Sequence, residues 1–299
     1  MKSYLFLKNR LNILCFCLFF YLTLINNTFA DDSFNIDKQL EIADSIRSSN
    51  PKQFQKILNE LKSNESSLSI TQQHYLRYLI GYRQSISGQL NESIVTYKSV
   101  LNSNASVELK FRANLSMINT FAITQNWTEG LSHLKIILNQ FSEINHHAIK
   151  MDGLAVTAIF YNQINQYSLG LKYAMRLANI SSKPRNSCLA AMIIIESKLN
   201  LELLQKNKNE IKEAIKTCKN EAIAANFIRS YSAKFSLTNN KPDEVIKFLT
   251  PHLAQVNATH YPRLIVEIYT SLAEAYWLQG NLIKAEELAL ESVKIGEKI

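Results

Sequence analysis

The segment EIYTSLAEAYWLQGNLIKAEELALESV, residues 267–293, decides the fold of this 299-residue chain. Bulky and small side chains recur every three or four residues on both sides of Gly280 and Asn281, which is the pattern of two helical faces joined by a tight turn. Small residues let two antiparallel helices approach, and large residues fill the space between them. One such hairpin cannot bury its own apolar face, so the chain must supply neighbours that stack on it.

The apolar pattern supplies those neighbours. It predicts seven second helices of hairpins, which begin near residues 51, 90, 127, 167, 209, 242 and 281; the sixth is expected to run from Asp243 to Leu253. This spacing is closer to forty residues than to the roughly 34 of the standard tetratricopeptide repeat (TPR), which the last hairpin resembles. With only 7 Gly and 5 Pro, the composition does not favour the many turns of a sheet-rich fold. We therefore predict an all-α fold, an α-solenoid of about seven antiparallel helix hairpins that forms a TPR-like superhelix.

Residues 1–30 have the pattern of a secretory signal peptide. Basic residues precede an apolar run over 11–25, and small residues precede the first acid, Asp31. The run is shorter than the ~20 residues that span a bilayer, and the alternative is an uncleaved anchor, the one way in which this chain would meet a membrane. We expect cleavage after Ala30, a periplasmic or secreted bacterial protein, and one mature TPR-like domain over 31–299.

The charge and the sparse reactive residues argue against several classes of function. The formal charge is +8, and without the basic leader it is +5, spread over all the predicted helices; a nucleic-acid binder gathers its cations on one face. No two glycines lie within four residues of each other, which excludes the common phosphate-binding loops. His146 and His147 are adjacent, so on a helix they diverge and do not share a metal. We predict a protein that is not an enzyme and that binds no cofactor, metal or nucleic acid.

Two cysteines, Cys188 and Cys218, remain after the leader is removed. They stand at the start and the end of the fifth predicted hairpin, and an antiparallel pair of helices brings those ends together. An exported protein meets an oxidising compartment. We favour a disulfide between them over two buried free thiols.

Six stretches together resemble the extracytoplasmic N-terminal region of bacterial membrane-bound diguanylate cyclases of the GGDEF type. They are SIRSSNPKQFQKIL at 45–58, QQHYLRYLIGYRQSISGQLNESI at 72–94, ELKFRANLSMIN at 108–119, AIFYNQINQYSLGLKYA at 158–174, NFIRSY at 226–231 and HYPRLIVEIY at 260–269. The resemblance implies a sensor or binding role. In that family a transmembrane helix and a cytoplasmic cyclase domain follow the repeats; this sequence has no second apolar span and no Gly-Gly-acid-acid-Phe motif, so cyclase activity does not carry over.

Two functional hypotheses follow. The first is a periplasmic TPR-like module for protein–protein interaction or ligand sensing, non-catalytic by itself. The alternative is the sensory N-terminal fragment of a membrane-bound GGDEF cyclase. A freestanding enzyme is disfavoured, because no acid, base and nucleophile converge in the pattern.

Three polar and aromatic clusters on first helices are the candidate ligand groove. They are Tyr161, Asn162 and Gln163; Asn226, Arg229 and Tyr231; and Tyr261 and Arg263. Because an unpaired Arg is costly to bury, Arg229 and Arg263 are expected to meet acids such as Glu267 or to face a groove. Helix capping and ordinary ion pairing are the structural alternative. The groove interpretation predicts a protein or peptide partner, either an extended peptide or another carboxylate-bearing ligand, since guanidinium groups bind carboxylates bidentately.

Overall fold

The computed structural model describes residues 35–47, 50–204, 209–259 and 261–297. The predicted signal peptide lies outside these ranges. Within them the secondary structure consists of α-helices and two short 3-10 turns, without a strand, and no helix there is both long and apolar enough to cross a membrane. The chain divides into two compact units, 1–89 and 90–299. That the two act as one domain over 31–299 stays a prediction.

The first unit contains three helices and one 3-10 turn in its described part. They are α1 (Ile36–Ile46), α2 (Pro51–Ser63), the turn Glu65–Ser67 and α3 (Ile70–Ile86). Phe54 of α2 is fully buried and meets the ring of Tyr82 on α3 edge-on, at 6.0 Å between centroids. The Tyr75 hydroxyl donates to Asp44 Oδ2 at 2.9 Å and ties α3 to α1. The three helices thus share one small core.

The second unit is a stack of helix hairpins. Its helices are α4 (Leu90–Leu101), α5 (Val107–Ile123), α6 (Trp127–Gln140), α7 (His147–Gln163), α8 (Tyr167–Ile180), α9 (Pro184–Asn200), α10 (Asn209–Thr217), α11 (Ala222–Thr238), α12 (Pro242–Leu249), α13 (Leu253–Ala258), α14 (Pro262–Leu278) and α15 (Leu282–Gly296). Each first helix packs on the next first helix, in the order α5, α7, α9, α11 and α14, and also on its own second helix. Second helices begin at the predicted positions, and only α15 begins one residue later. The periodicity therefore located the starts of the second helices correctly.

One backbone motif ends the first helices of both units. A residue with positive φ follows the helix at Gly88, Gln125, Asn165, Glu202, Asn240 and Gly280. In each case the next N–H donates to the carbonyl five residues earlier, at 2.8–3.0 Å. This is the left-handed C-terminal cap that satisfies the last free carbonyls of a helix. These residues recur every 37 to 40 positions and measure the repeat directly.

First helices from α3 onward are uniform in length, whereas α1, with 11 residues, is shorter and second helices vary. Each of α3, α5, α7, α9, α11 and α14 has 17 residues, about 25 Å at 1.5 Å per residue. Second helices in the described chain range from 8 to 15 residues. Since the start of each first helix lies 18 residues before its left-handed residue, the variation in repeat length lies in the second helices and the loops after them.

The prediction of a continuous sixth second helix to Leu253 is wrong. Helix α12 ends at Leu249, the 3-10 turn Thr250–His252 follows, and α13 begins a new helix. Pro251 is the physical reason, because proline has no N–H for the helical bond and its ring clashes with the preceding turn. The other prolines stand at the first position of a helix, where the missing N–H costs nothing.

Candidate functional site

Polar side chains form a connected line across the first helices α7, α9, α11 and α14. We call it the Glu196 network; its members are Asn162, Glu196, Ser197, Ser230, Tyr231, Lys234, Arg263 and Glu267. Asn162 Nδ2 donates to Glu196 Oε2 at 3.0 Å, and Ser197 Oγ donates to Asn162 Oδ1 at 2.9 Å. The Tyr231 hydroxyl donates to the Glu196 carboxylate. Hydrogen bonds thus join three successive first helices.

Glu267 extends the network to α14. Its Oε2 accepts from Ser230 Oγ at 3.1 Å and from Lys234 Nζ at 2.8 Å, both on α11. Arg263 lies one helical turn before Glu267 and is exposed, yet its charge reaches Glu196 and favours the ionised carboxylate. Arg263 makes neither a hydrogen bond nor an ion pair with another described residue.

Burial sets the electrostatics of the network. Desolvation raises the pKa of Glu196, while the Asn162 hydrogen bond and the Arg263 charge act in the opposite direction. Desolvation, followed by the charges of Glu196 and Glu267, raises the pKa of Tyr231 well above its ordinary value. Tyr231 therefore stays a neutral donor, and Glu196 takes up a proton more readily than an exposed glutamate does.

Helix α8 fixes the amide of Asn162. A Cβ atom added at Gly170 would overlap Asn162 Oδ1 and would lie 3.1 Å from the carbonyl oxygen of Ala158. The absence of a side chain at Gly170 therefore lets α8 approach α7 closely enough to hold the amide in place. This is the small residue that hairpin packing requires, used here to position a polar group.

An aromatic border adjoins the network. The Phe227 ring stacks on Tyr231 with centroids 6.2 Å apart and meets Tyr261 edge-on at 5.8 Å. Tyr261 is 41% exposed and stands two residues before Arg263. Tyr261 and Arg263 therefore bring an exposed ring and an exposed guanidinium to the N-terminal end of α14.

The structure separates the other predicted groove residues from this network. Arg229 Nη1 donates to Asn226 Oδ1 at 2.8 Å, and its positive charge, after desolvation, lowers the pKa of His252. Tyr161 stacks on Tyr173 of α8 with centroids 5.7 Å apart. Gln163 is half-buried in the last turn of α7. The sequence analysis placed Arg229 and Tyr231 in one cluster, but Arg229 contacts Asn226 whereas Tyr231 interacts with Glu196.

Sequence reasoning missed four members of the network: Glu196, Ser197, Ser230 and Lys234. Glu196 had a usable sign, since it is a lone acid that directly follows Met192-Ile193-Ile194-Ile195. An acid inside an apolar run is rarely buried without a partner. The two serines offered no such sign.

A groove of about 890 Å³ adjoins the network near the C-terminal ends of α9 and α11. Its walls mix apolar and polar side chains; they include Leu199, Asn200, Lys234, Phe235 and Glu274. Lys234 belongs both to this groove and to the network. A volume of this size lies within the range of ligand sites, about 300–1,000 Å³.

A disulfide closes the hairpin that carries Glu196. The sulfur atoms of Cys188 on α9 and Cys218 just after α10 are 2.10 Å apart, and their Cα atoms are 4.8 Å apart. Both residues are fully buried. The bond joins the opposite ends of the fifth hairpin, where the sequence placed the pair.

Comparison with known proteins gives a likeness of fold. No protein-family profile and no curated protein sequence matches the chain. Its structure is similar to those of Rap proteins. A Rap protein complexed with Competence and Sporulation Factor has 13% sequence identity and a TM-score of 0.72, over 88% of this chain and 77% of that chain. The apo form of RapI has 12% identity and a TM-score of 0.64, over 88% of this chain and 99% of its own. The predicted all-α, TPR-like α-solenoid is confirmed.

Proposed function

We propose that this chain is a periplasmic TPR-like module for protein–protein interaction or ligand sensing, non-catalytic by itself. The Glu196 network is the observation that supports this most, because a polar line across four first helices with a largely buried carboxyl group in it is costly unless it has a use. The neighbour complexed with Competence and Sporulation Factor supports a binding role for the fold. The leader pattern supports the periplasmic location.

The ligand that fits best is an extended peptide with a free C-terminal carboxylate. The Arg263 guanidinium offers two parallel N–H donors to a carboxylate. The exposed ring of Tyr261, at the same end of α14, supplies flat, amphipathic contact area. The adjoining groove, with Asn200 and Lys234 in its wall, offers polar partners for a peptide backbone.

Fluorescence anisotropy with labelled random peptide pools tests this assignment. Pools with a free C-terminal carboxylate are compared with amidated pools of the same composition. We expect preference for the free acid, and R263Q should weaken its binding roughly 10-fold or more, as loss of a hydrogen bond to a charged group does. The matched control is R185Q, because Arg185 is exposed and is likewise the second residue of a 17-residue first helix.

Equal binding of both pools, or equal losses in R185Q and R263Q, would reject the assignment. R229Q tests the sequence-derived cluster separately, since Arg229 contacts Asn226 rather than the network. A loss of binding in R229Q without a lower thermal midpoint would place the groove on that side of α11 instead.

A second candidate function is the sensory region of a membrane-bound GGDEF diguanylate cyclase. The six quoted stretches that resemble such regions favour it. Reading the genomic DNA beyond codon 299 tests it directly. An apolar span followed by a cyclase domain in the same frame would support this candidate, and an unrelated gene would count against it.

A further inference from the structure

Another groove lies on unit 2, away from the Glu196 network, where α10 and α12 both pack on α11. It has a volume of about 390 Å³. Its floor and walls are mainly apolar or small: Ile211, Ile215, Ser232, Ser236, Val245 and Phe248. Three charged residues, Lys212, Glu244 and Lys247, also line the groove.

The space has two structural causes. Helices α10 and α12 have 9 and 8 residues and are the shortest second helices of the described hairpins, so they leave part of α11 uncovered. The face of α11 beneath them has the small residues Ser232, Ala233 and Ser236. Ser236 Oγ donates to the Ser232 carbonyl at 3.0 Å, so this hydroxyl is already satisfied and needs no polar ligand. The floor is compatible with an apolar guest.

Two of the three charged residues that line the groove are cationic. Lys212 and Lys247 are exposed, and neither forms an ion pair with a described residue. The nearest acids in sequence pair with other lysines. Glu213 pairs with Lys216 at 3.8 Å, and Glu244, which lines the groove itself, pairs with Lys241 at 3.1 Å. Two lysine heads over an apolar groove favour a guest with an anionic head and an apolar tail.

We propose that this groove binds a single long-chain carboxylic acid. Its alkyl chain lies against Ile215, Val245 and Phe248, and its carboxylate lies at Lys212 and Lys247. The site is independent of the peptide groove. Affinity should rise roughly fourfold with each methylene that the groove buries and should stop rising once the chain fills it.

Displacement of the fluorescent fatty acid dansyl-undecanoic acid from the purified chain tests the proposal. Octanoate, decanoate and dodecanoate should displace the probe with increasing affinity, whereas dodecyltrimethylammonium, with the same tail and opposite charge, should not. K212Q/K247Q should weaken dodecanoate binding by at least about threefold, since each lysine forms an exposed ion pair with the guest. The control K216Q changes an exposed lysine of α10 outside the groove and should leave the affinity unchanged.

Three results would overturn the proposal. They are no displacement up to the solubility limit of dodecanoate, equal displacement by the cationic and anionic amphiphiles, and an unchanged affinity in K212Q/K247Q. Binding to anionic phospholipid vesicles without binding of monomeric dodecanoate would assign the lysines to a membrane surface instead. Far-ultraviolet circular dichroism of each variant verifies that the helices are retained.

Discussion

Replacement of Gly170 by alanine isolates the contribution of the network to stability. In an ordinary helix this change stabilises by about 0.5–1 kcal/mol, because glycine loses more backbone entropy on folding. Here the added Cβ would overlap Asn162 Oδ1, so the amide must move. We expect both Asn162 hydrogen bonds, to Glu196 and to Ser197, to be lost or weakened.

The expected loss follows from these two bonds. A hydrogen bond to a charged group contributes about 1.5–3 kcal/mol and a neutral one about 0.5–1.5 kcal/mol. After the alanine gain is subtracted, G170A should lower the free energy of unfolding by about 1–4 kcal/mol. Urea unfolding of the whole chain, followed by circular dichroism, measures the difference in unfolding free energy between G170A and the unchanged chain.

Gly296 provides the matched control. It is also helical, but a Cβ added there meets nothing nearer than Val266 Cγ2 at 4.0 Å. G296A should therefore leave the stability unchanged or raise it slightly. If G170A is as stable as G296A, the close approach of α8 to Asn162 is not what holds the network, and the reasoning is refuted.

Three further predictions concern the disulfide, the buried acid and the leader. The disulfide closes a loop of 30 residues, so C188A/C218A should lose about 3–4 kcal/mol of unfolding free energy; labelling of both thiols by an alkylating reagent without reductant would show that no bond forms in the cell. Burial raises the pKa of Glu196, so the folded chain binds a proton at Glu196 more tightly than the unfolded chain does. Protonated Glu196 therefore stabilises the fold at low pH, and this contribution is lost as the pH rises above the ordinary glutamate range. The stability of E196Q relative to the unchanged chain should accordingly rise between about pH 4 and pH 7, and a flat difference across that range would contradict it. N-terminal sequencing of the periplasmic fraction should begin at Asp31, whereas a membrane-bound chain that retains Met1 would support the anchor.

The helix boundaries were predictable because local rules set them. Apolar periodicity marked the helices, and four of the six left-handed turn residues are Gly or Asn, which tolerate positive φ. Gln125 and Glu202 adopt the same conformation without that preference, so tertiary packing imposes it there. The break at Pro251 was readable in principle, since a proline inside a helix pattern predicts the end of that helix.

The network was less predictable because its contacts cross from one repeat to the next. The bonded pairs lie 33 to 37 residues apart, and the face on which a side chain lies depends on how neighbouring helices tilt. Sequence alone singled out Asn162, Tyr231 and Arg263 as polar or amphipathic residues on first helices. It grouped residues that are close in sequence, whereas the structure groups residues of successive repeats.

The first helices α7, α9 and α11 all have 17 residues, so positions in them can be compared directly. Counted back from the left-handed turn residue of each repeat, Asn162 stands 3 positions away, Glu196 stands 6 and Tyr231 stands 9. From Asn162 to Glu196 and from Glu196 to Tyr231 the line thus shifts by three residues, about 4.5 Å along a helix axis. An insertion on the C-terminal side of a turn residue leaves this three-residue shift unchanged. A single residue inserted between Glu196 and its turn residue, Glu202, would instead change the position of Glu196 relative to both Asn162 and Tyr231. The geometry of the network therefore constrains the length of the chain between its members as well as their identity.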